Sequence, residues 1–253
     1  MTIRVAVVGA TGKLGSAAAT LLRATEGIEV VAELRSGSAL DEMLGTADSP
    51  SDVVLDATSS AASPAIVEYA VANGRDVVAG SSGWTQQRLG TLRTLLEAHP
   101  ERGVLVIPNF SLGAVLGTLF SAYAARFFDA VEIVETHGAG KSDSPSGTAI
   151  RTAESIEAAR GDLGPVEAPH ADQRARGQLV ASVPVHSLRL PGVVAQQRVV
   201  FGGDGETLTI SHETVSSSAY SKGIVAAVRA APTATGLVVG LDRVLGLDLG
   251  HRS

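Results

Sequence analysis

The sequence of 253 residues contains no cysteine, which excludes structural disulfides and thiolate chemistry. Charged residues make up only 18% of the chain, below the roughly 25% of ordinary domains, and acidic residues outnumber basic ones by 26 to 20. No clustered basic excess is present, so nucleic acid is not expected as the main partner. No apolar run reaches the roughly 18 residues of a membrane span, and the first residues lack a signal-peptide pattern. His186 and His212 lack metal-ligand spacing, so no metal site is expected. The sequence therefore predicts a soluble, cytoplasmic protein.

The chain before Asn109 alternates short Val/Ile-rich runs with longer stretches of helical periodicity. The predicted strands are residues 5–8, 28–32, 53–55, 77–79 and 104–107. The predicted helices are residues 14–24, 64–72 and 86–98. This alternation is typical of a parallel sheet with helices on its faces, and right-handed crossovers make it doubly wound. We therefore predict an α/β fold with a Rossmann-like N-terminal part.

The pattern changes after Asn109 and indicates a second, α+β lobe with a mostly antiparallel or mixed sheet. The predicted helices of this part are residues 112–128 and 147–160. The predicted strands are residues 130–135, 183–190, 196–202 and 206–212. Residues 165–178 are polar and contain proline, which is typical of a surface loop. The tail, residues 223–231 and 237–245, returns to helical spacing.

Glycines cluster between the first predicted strand and the first predicted helix, in the sequence Gly9-Ala10-Thr11-Gly12-Lys13-Leu14-Gly15. Backbone N–H groups at a helix N-terminus bind phosphate, and glycine lets a pyrophosphate approach without interference from a Cβ. The GxxGxxG spacing also fits a plain tight connection, and that alternative stays open. We interpret the loop as a dinucleotide site whose cofactor contacts are Gly9, Ala10, Thr11, Gly12, Lys13 and Leu14.

The end of the second predicted strand bears on the choice of cofactor. An acid there binds the adenosine ribose, whereas an arginine just beyond it pairs with a 2′-phosphate. Glu33 lies early on the strand, and Arg35 with Ser36 and Ser38 is similar to a phosphate pocket. The sequence predicts NADPH as the cofactor, with NADH tolerated. Arg35 as an ordinary solvated loop residue is the alternative.

Small residues follow two further predicted strands, at the edge of the sheet where ligands bind in such folds. This predicts additional cofactor contacts at Ala57, Thr58, Gly80, Ser81 and Ser82. Small side chains there leave room for the nicotinamide. Ordinary loops at these positions are the alternative.

One short stretch, residues 135–148, combines a strand end, an imidazole, an ammonium group and a helix N-terminus. Histidine exchanges protons near neutral pH, which makes His137 a candidate acid or base. Lys141 supplies a positive charge and a transferable proton. The backbone donors and hydroxyls that could bind a substrate carboxylate belong to Ser146, Gly147 and Thr148. His137 as a strand-end histidine held by backbone groups is the alternative.

The same stretch, Glu135-Thr136-His137-Gly138-Ala139-Gly140-Lys141-Ser142-Asp143-Ser144-Pro145-Ser146-Gly147-Thr148, resembles the signature E-x-H-H-x-H-K-x-D-x-P-S-G-T of the 4-hydroxy-tetrahydrodipicolinate reductases, the DapB family of lysine biosynthesis. The resemblance covers essentially the whole chain. It includes the glycine loop, Gly80-Ser81-Ser82-Gly83 in place of the family's Gly-Thr-Thr-Gly, Pro108-Asn109-Phe110-Ser111, and residues 205–212.

The resemblance implies a two-domain enzyme. Residues 1–108 and 217–253 would form the dinucleotide-binding domain, and residues 109–216 the domain for substrate binding and oligomerisation. The central sheet of the family pairs in a homotetramer. The resemblance also adds the hinge residues Pro108, Asn109 and Phe110 to the cofactor contacts.

The resemblance further implies a reaction in the diaminopimelate pathway. A hydride from the nicotinamide reduces a ring carbon of 4-hydroxy-tetrahydrodipicolinate while the hydroxyl departs as water. By this resemblance His137 is a proton donor or acceptor and Lys141 a proton donor, while Gly147 and Thr148 hold the substrate carboxylate.

The chain departs from the family signature at Gly138 and Gly140, where the family has histidines. Each lost hydrogen bond to a charged group costs about 1.5–3 kcal/mol if nothing replaces it. The polar loop with His170, Arg174 and Arg176 could compensate by folding over the anion. Two alternatives stay open: a reductase of the same fold for another imine or keto dicarboxylate, and a non-catalytic NADP(H)-binding sensor.

Overall fold

The computed structural model describes residues 2–247. Within them, residues 2–110 with 220–247 form one compact unit, and residues 111–219 form a second. The helices are α1 (Lys13–Arg23), α2 (Ser63–Ala72), α3 (Gln86–Glu97), α4 (Leu112–Ala124), α5 (Gly147–Arg160), α6 (Ser221–Ala230) and α7 (Leu241–Val244). The strands are β1 (Ile3–Val8), β2 (Ile28–Leu34), β3 (Val53–Asp56), β4 (Asp76–Ala79), β5 (Gly103–Val106), β6 (Ala130–His137), β7 (Gln178–Val180), β8 (Val183–Arg189), β9 (Ala195–Gly203), β10 (Glu206–Thr214) and β11 (Gly236–Val239). Among these helices none is long and apolar enough to cross a membrane.

The first unit is built on a parallel sheet with the strand order β11-β5-β4-β3-β1-β2. Its central strands are valine-rich and buried along their whole length, as expected where helices cover both faces. The chain runs from β1 outward to β2 and then returns to β3 on the other side of β1. Ligands of doubly wound folds bind at such a reversal, outside the carboxyl ends of the strands. The predicted Rossmann-like α/β architecture is confirmed.

The carboxyl ends of these strands are level with one another. Val8, the last residue of β1, pairs with Leu34 of β2 and with Asp56 of β3. Asp56 in turn pairs with Ala79, and Ala79 with Val106 of β5. The loops that follow β1 to β5 therefore leave the sheet along one edge.

The second unit has a mixed sheet with the strand order β10-β9-β6-β8-β7. The β6–β8 pair is parallel, and the other pairs are antiparallel. Side chains of β6 alternate between half-buried and buried up to Glu135, because the sheet has one face against a core. That core joins β6, β8 and β9 to α4 and α5, with Phe201, Ile133 and Ile156 at its centre. The predicted second lobe, with helices packed on a mixed sheet, is confirmed.

Three elements differ from the sequence-based predictions. The predicted helix over residues 237–245 is wrong: residues 236–239 form β11, which pairs with β5, and only Leu241–Val244 is helical. Gly240 separates the two with φ of +104°, outside helical geometry. α4 ends at Ala124, short of the predicted end at residue 128. β7 is a strand that was not predicted. It begins at Gln178, the last residue of the predicted polar loop, and is held in strand conformation by pairing with β8.

Candidate active site

The glycine loop after β1 has a backbone that favours glycine at two positions. Gly9 has φ of +84°, and the N–H groups of Gly9 and Ala10 both donate to the Leu34 carbonyl at 2.9 Å. A Cβ on Gly15 would lie 2.1 Å from the carbonyl oxygen of Gly9. Helix α1 can therefore approach the loop this closely only with glycine at residue 15.

The N-terminus of α1 is open to an anion. Gly12 is the N-cap, and as a glycine it makes no side-chain capping hydrogen bond. Thr11, Gly12 and Lys13 are exposed, and the half-buried Leu14 follows in the first turn. Backbone N–H groups and the helix dipole favour negative charge at such an end. These residues therefore fit the pyrophosphate of a dinucleotide.

At the end of β2, Arg35 is exposed to a ligand, whereas the carboxylate of Glu33 is already bound by another side chain. Arg23, on α1, forms a hydrogen bond with the carboxylate of Glu33. Arg35 follows the last residue of β2 and is exposed. The turn after it is closed by the Ser38 N–H, which donates to the Arg35 carbonyl at 3.0 Å. The Ser38 hydroxyl in turn accepts from the Arg35 N–H at 3.3 Å.

A buried carboxylate fixes the loop after β3. Asp56 accepts hydrogen bonds from the backbone N–H of Thr58 at 3.0 Å and from its hydroxyl at 2.5 Å. The hydroxyl of Ser63, at the start of α2, bonds to the other oxygen of Asp56. A Cβ on Gly9 would lie 2.8 Å from the carbonyl oxygen of Ala57. The structure therefore brings the glycine loop and the Ala57–Thr58 loop into contact.

The segment after β4 is equally close-packed. A Cβ on Gly80 would lie 2.7 Å from the ring of Phe110, which is buried. The hydroxyl of Ser81 is buried and has no hydrogen-bond partner among the described residues. A buried hydroxyl without a partner is costly, and a polar ligand group at this edge would relieve that cost. Ser82, by contrast, is exposed.

The segment after β5 completes this edge of the sheet. Ile107 donates its N–H to the Ala79 carbonyl at 2.8 Å, so the chain leaves β5 beside the end of β4. Pro108 is exposed and Asn109 is half-buried. All predicted cofactor contacts thus lie in loops that leave the sheet at its carboxyl edge or in the first turn of α1.

In the second unit, the carboxylate of Glu135 is the centre of a hydrogen-bond network. Its side chain is 0% exposed, and its Oε2 lies 2.6 Å from Nδ1 of His137. The two terminal nitrogens of Arg189 donate to the two carboxylate oxygens at 3.0 and 2.9 Å. The backbone N–H of Ser146 donates to Oε1 at 3.2 Å. One carboxylate therefore holds the imidazole, a guanidinium and the start of α5.

The surroundings of Glu135 favour its ionised form. Burial acts to raise its pKa, but hydrogen bonds from Arg189, Ser187 and His137 outweigh burial and hold the pKa below its ordinary value. The carboxylate is therefore charged at neutral pH. The partner of His137 at Nδ1 is this carboxylate rather than the backbone groups of the alternative reading.

Lys141 lies in the turn that follows β6. Its ammonium group donates to both oxygens of Asp143, at 2.7 and 2.9 Å. The hydrogen bond from Lys141 is the main reason that the pKa of Asp143 is lowered. The terminal nitrogen of Arg189 that binds Glu135 Oε1 also donates to the Asp143 carbonyl at 2.7 Å. The turn is thus tied to the Glu135 network.

Helix α5 begins in this network. Ser146 is its N-cap, and its hydroxyl accepts the Ala149 N–H at 3.2 Å. Gly147 would meet no heavy atom of the described residues within 4 Å if it carried a Cβ, so space is open at the first residue of the helix. Thr148 follows it. The hydroxyl of Thr152, one turn on, donates to the Thr148 carbonyl at 2.9 Å.

The two glycines that depart from the family signature have different surroundings. A Cβ on Gly138 would lie 3.1 Å from the carbonyl oxygen of Val193, which would have to shift slightly. A Cβ on Gly140 would meet no heavy atom of residues 2–247 within 4 Å. A side chain is therefore accommodated more easily at Gly140.

The structure adds residues that the sequence reasoning missed. Glu135 and Asp143 lie in the stretch already singled out, but their roles as partners of His137 and Lys141 were not predicted. Arg189 ends β8, far along the chain, and reaches the site because it pairs with His137 in the parallel register of β6 and β8. Sequence spacing carries no signal for that register.

A second cluster of similar composition lies on the opposite face of β6. Glu132 accepts hydrogen bonds from Arg176 at 2.5 Å and lies 2.7 Å from Nε2 of His186. Residues three apart on a strand point to opposite faces, so this cluster is separated from Glu135 by the sheet. Arg176, from the loop predicted to fold over a bound anion, is thus held by Glu132.

His212 is also accounted for by packing. Its Nε2 lies 3.3 Å from the hydroxyl of Ser111, and a Cβ on Gly113 would lie 2.5 Å from its ring. Burial lowers the pKa of His212. Across the described residues, no group of three or more His, Asp or Glu side chains could hold a metal ion.

Two family models match the chain. Residues 3–110 match the N-terminal model of dihydrodipicolinate reductase, and residues 113–245 match the C-terminal model. The 4-hydroxy-tetrahydrodipicolinate reductase of Clavibacter sepedonicus is 56% identical over 248 residues, which cover 98% of this chain and 88% of the relative. The enzyme of the same name from Streptomyces griseus is 42% identical over 250 residues, covering 97% and 99% of the two chains.

Solved structures agree with these matches. A dipicolinate-bound dihydrodipicolinate reductase from Paenisporosarcina sp. TG-14 aligns with a TM-score of 0.80 at 30% identity, covering 96% of this chain and 99% of that chain. An engineered D-amino acid dehydrogenase bound to NADP+ aligns with a TM-score of 0.56 at 15% identity, covering 98% and 97%. The latter likeness concerns the fold alone.

Proposed function

The chain belongs to the dihydrodipicolinate reductase family, and we propose that it reduces 4-hydroxy-tetrahydrodipicolinate to tetrahydrodipicolinate with NADPH. It is an NAD(P)H-dependent oxidoreductase of the diaminopimelate and lysine pathway. The observation that carries this function is that both family models match in order and together span residues 3–110 and 113–245.

The first unit binds the cofactor in this proposal, and the second binds the substrate. A bound dihydronicotinamide supplies the hydride for the reduction. The N-terminus of α1 and the glycine loop hold the pyrophosphate, because their backbone N–H groups and small residues suit an anion. The loops after β3, β4 and β5 line the rest of the cofactor site, and the unpartnered hydroxyl of Ser81 supports this assignment. Following the family resemblance, we assign residues 1–108 with 217–253 to the dinucleotide-binding domain and residues 109–216 to the substrate domain, within two or three residues of the compact units at each boundary.

The preference for NADPH rests on the end of β2. Arg23 already binds the carboxylate of Glu33, so this acid is engaged away from a ribose. Arg35 is exposed directly beyond the strand, where a guanidinium would pair with a 2′-phosphate. NADH would lack that interaction and bind more weakly.

The substrate is a dianion in this proposal, bound at the N-terminus of α5. The backbone there and the side chains of Ser146 and Thr148 offer donors to one carboxylate, with open space at Gly147. Lys141 supplies positive charge nearby, and a substrate carboxylate would compete with Asp143 for its ammonium group. The neighbour from Paenisporosarcina sp. TG-14 holds dipicolinate, a dicarboxylate, which supports this class of ligand.

Loss of the substrate hydroxyl as water consumes one proton. Lys141 and His137 are the candidate donors, and either group in its charged form would release that proton to the leaving oxygen. The ring nitrogen of His137 that faces away from Glu135 is Nε2, because Nδ1 makes the bond to the carboxylate. We assign proton transfer to Lys141 and His137, with Nε2 as the reacting atom of the histidine.

The test follows NADPH fluorescence while a preceding synthase makes fresh 4-hydroxy-tetrahydrodipicolinate in the cuvette from pyruvate and aspartate semialdehyde. We expect rapid oxidation in the wild type and a rate at least about 10²-fold lower in Lys141→Ala, the usual scale for losing a general acid. Lys222→Ala is the matched control, because Lys222 is an exposed lysine on α6. Cofactor binding without oxidation, even at high substrate, would overturn the proposal.

The same assay separates the two remaining alternatives. Gly138 and Gly140 remove two side chains from the turn beside Lys141, which favours testing other imine and keto dicarboxylates if the first substrate fails. Oxidation of NADPH with one of them would identify a reductase with a changed substrate. Binding of NADPH without turnover of any of them would identify a sensor.

The proposal also includes the oligomeric state of the protein and its location in the cell. The family resemblance supports a homotetramer formed through the mixed sheet, and light scattering after size exclusion measures the mass directly. A biosynthetic reductase draws on the NADPH of the cell, so the cytoplasm is the location we propose. No nucleic acid or membrane takes part in this function.

A further inference from the structure

The Glu135–Arg189 pair is an expensive arrangement for stability alone. A carboxylate whose side chain is 0% exposed has lost its water, and replacing a buried ion pair by apolar side chains is often neutral or stabilising. The pair nevertheless has near-ideal geometry, with two parallel bonds of 3.0 and 2.9 Å. A role beyond holding the fold together would explain its presence.

The bonds of the pair lead to the groups assigned to catalysis. Glu135 Oε2 contacts Nδ1 of His137 at 2.6 Å, and its Oε1 accepts the N–H of Ser146 at 3.2 Å. Arg189 also donates to the carbonyl of Asp143, the partner of Lys141, at 2.7 Å. The pair therefore sets the position of the imidazole, the lysine turn and the start of α5 together.

We propose that Glu135 and Arg189 are positioning residues for His137. Glu135 accepts a hydrogen bond from the Nδ1–H group of His137, which fixes the tautomer and the ring plane and leaves Nε2 as the atom presented to substrate. Arg189 keeps the carboxylate charged and fixes its rotation by binding both oxygens. The inference deepens the proposed function and rests on it for the role of His137.

Because Glu135 and Arg189 carry opposite charges, removing one or the other is expected to have opposite effects on the protonated form of the His137 ring. Glu135 lies on β6 itself, Arg189 comes from β8, and Lys141 with Asp143 forms the turn after β6. Removing the negative charge of Glu135 leaves Arg189 beside the ring, which disfavours the imidazolium. Removing the positive charge of Arg189 leaves a carboxylate without its counter-charge, which favours the imidazolium.

The first measurement needs no substrate. Nitrogen-15 spectra of histidine-labelled protein above neutral pH report which ring nitrogen carries the proton, and His137→Asn identifies the resonances of His137. We expect the Nδ1–H form in the wild type and a mixture of tautomers in Glu135→Gln. An Nε2–H form of His137 in the wild type would overturn the inference, whatever the variants do.

The second measurement is the pH profile of kcat/KM in Glu135→Gln, Arg189→Met and Arg189→Lys. With His137 as the acid, the alkaline fall of the rate should move to lower pH in Glu135→Gln and to higher pH in Arg189→Met. We expect kcat to fall about 10²-fold in both, the scale of a misplaced catalytic group, while the Kd for NADPH stays unchanged. Arg189→Lys keeps the charge and should restore the wild-type profile in part.

Glu132→Gln is the matched control, because Glu132 also binds one arginine and one histidine but on the other face of β6. It should leave the profile and the His137 tautomer as in the wild type. Shifts in the same direction for Glu135→Gln and Arg189→Met would overturn the inference. Absence of turnover in the wild type would instead count against the proposed function, since the tautomer measurement is independent of turnover.

Discussion

β6 carries two glutamates, three residues apart, that hold the same kinds of partner in different environments. Glu132 binds Arg176 and His186 with its side chain 34% exposed, whereas Glu135 binds Arg189 and His137 with its side chain 0% exposed. Water can replace the partners of Glu132 but not those of Glu135. Burial, rather than the identity of the partners, therefore decides how much each network constrains the protein.

The difference also shows what a functional cluster needs. The partners of Glu135 are His137 at the end of β6, Arg189 on β8 and the N-cap of α5, and Arg189 in turn binds the turn that carries Lys141. The partners of Glu132 lie on β8 and on a short turn, Arg174–Arg176. Two clusters with the same composition thus differ because only one of them joins groups suited to chemistry.

The largest expected effect is on stability. Glu135→Gln removes the buried counter-charge of the half-buried Arg189, and breaking a buried pair costs about 3–5 kcal/mol of the free energy of unfolding. Glu132→Gln breaks a solvent-accessible pair, for which about 0.2–1 kcal/mol is expected. Urea unfolding at neutral pH, followed by circular dichroism, measures both. Equal losses in the two variants would mean that burial does not separate the clusters.

A middle-sized effect is expected in the pH dependence. The pKa of Glu135 is lowered in the folded protein, so its charged form stabilises the fold above the ordinary carboxyl range of about 4 and this contribution is lost as the pH falls through the lowered value. The stability advantage of wild type over Glu135→Gln should therefore shrink only in acid. The pKa of Glu132 is also lowered, so Glu132→Gln should show the same direction with a smaller amplitude. An advantage that grows in acid would contradict the assignment of a charged Glu135.

The smallest effect is expected from salt. At about 1 M NaCl the Debye length is about 3 Å, which screens exposed pairs far more than buried ones. The small advantage of wild type over Glu132→Gln should disappear, whereas the advantage over Glu135→Gln should change little. Thermal unfolding with and without salt measures this. If salt reduced the stability advantage of wild type over both variants equally, Glu135 would be accessible to solvent.

Local chemistry explains which parts of the molecule the sequence predicts. The glycine loop, the strand ends and the start of α5 are readable because glycine, a short Val/Ile run or a capping serine acts within a few residues. Ser146 at the N-cap and Gly9 with φ of +84° are such cases. The level carboxyl ends then follow from the parallel sheet.

Pairing between distant segments explains what the sequence does not predict. Arg189 reaches Glu135 through the register of β6 and β8. β11 is a strand because its backbone pairs with β5, although the apolar spacing of residues 237–245 fits a helix. The burial difference between Glu132 and Glu135 likewise depends on which face of the sheet the helices cover. None of these features has a signature within one segment.

The edge position of β11 has a consequence for synthesis on the ribosome. Residues 111–219 are continuous, so the second unit has all its strands once residue 219 has emerged. The first unit begins earlier in the chain, but its sheet gains its last strand only with residues 236–239. Domains generally fold as units during translation. The part of the chain made first is therefore the part whose folding is completed last.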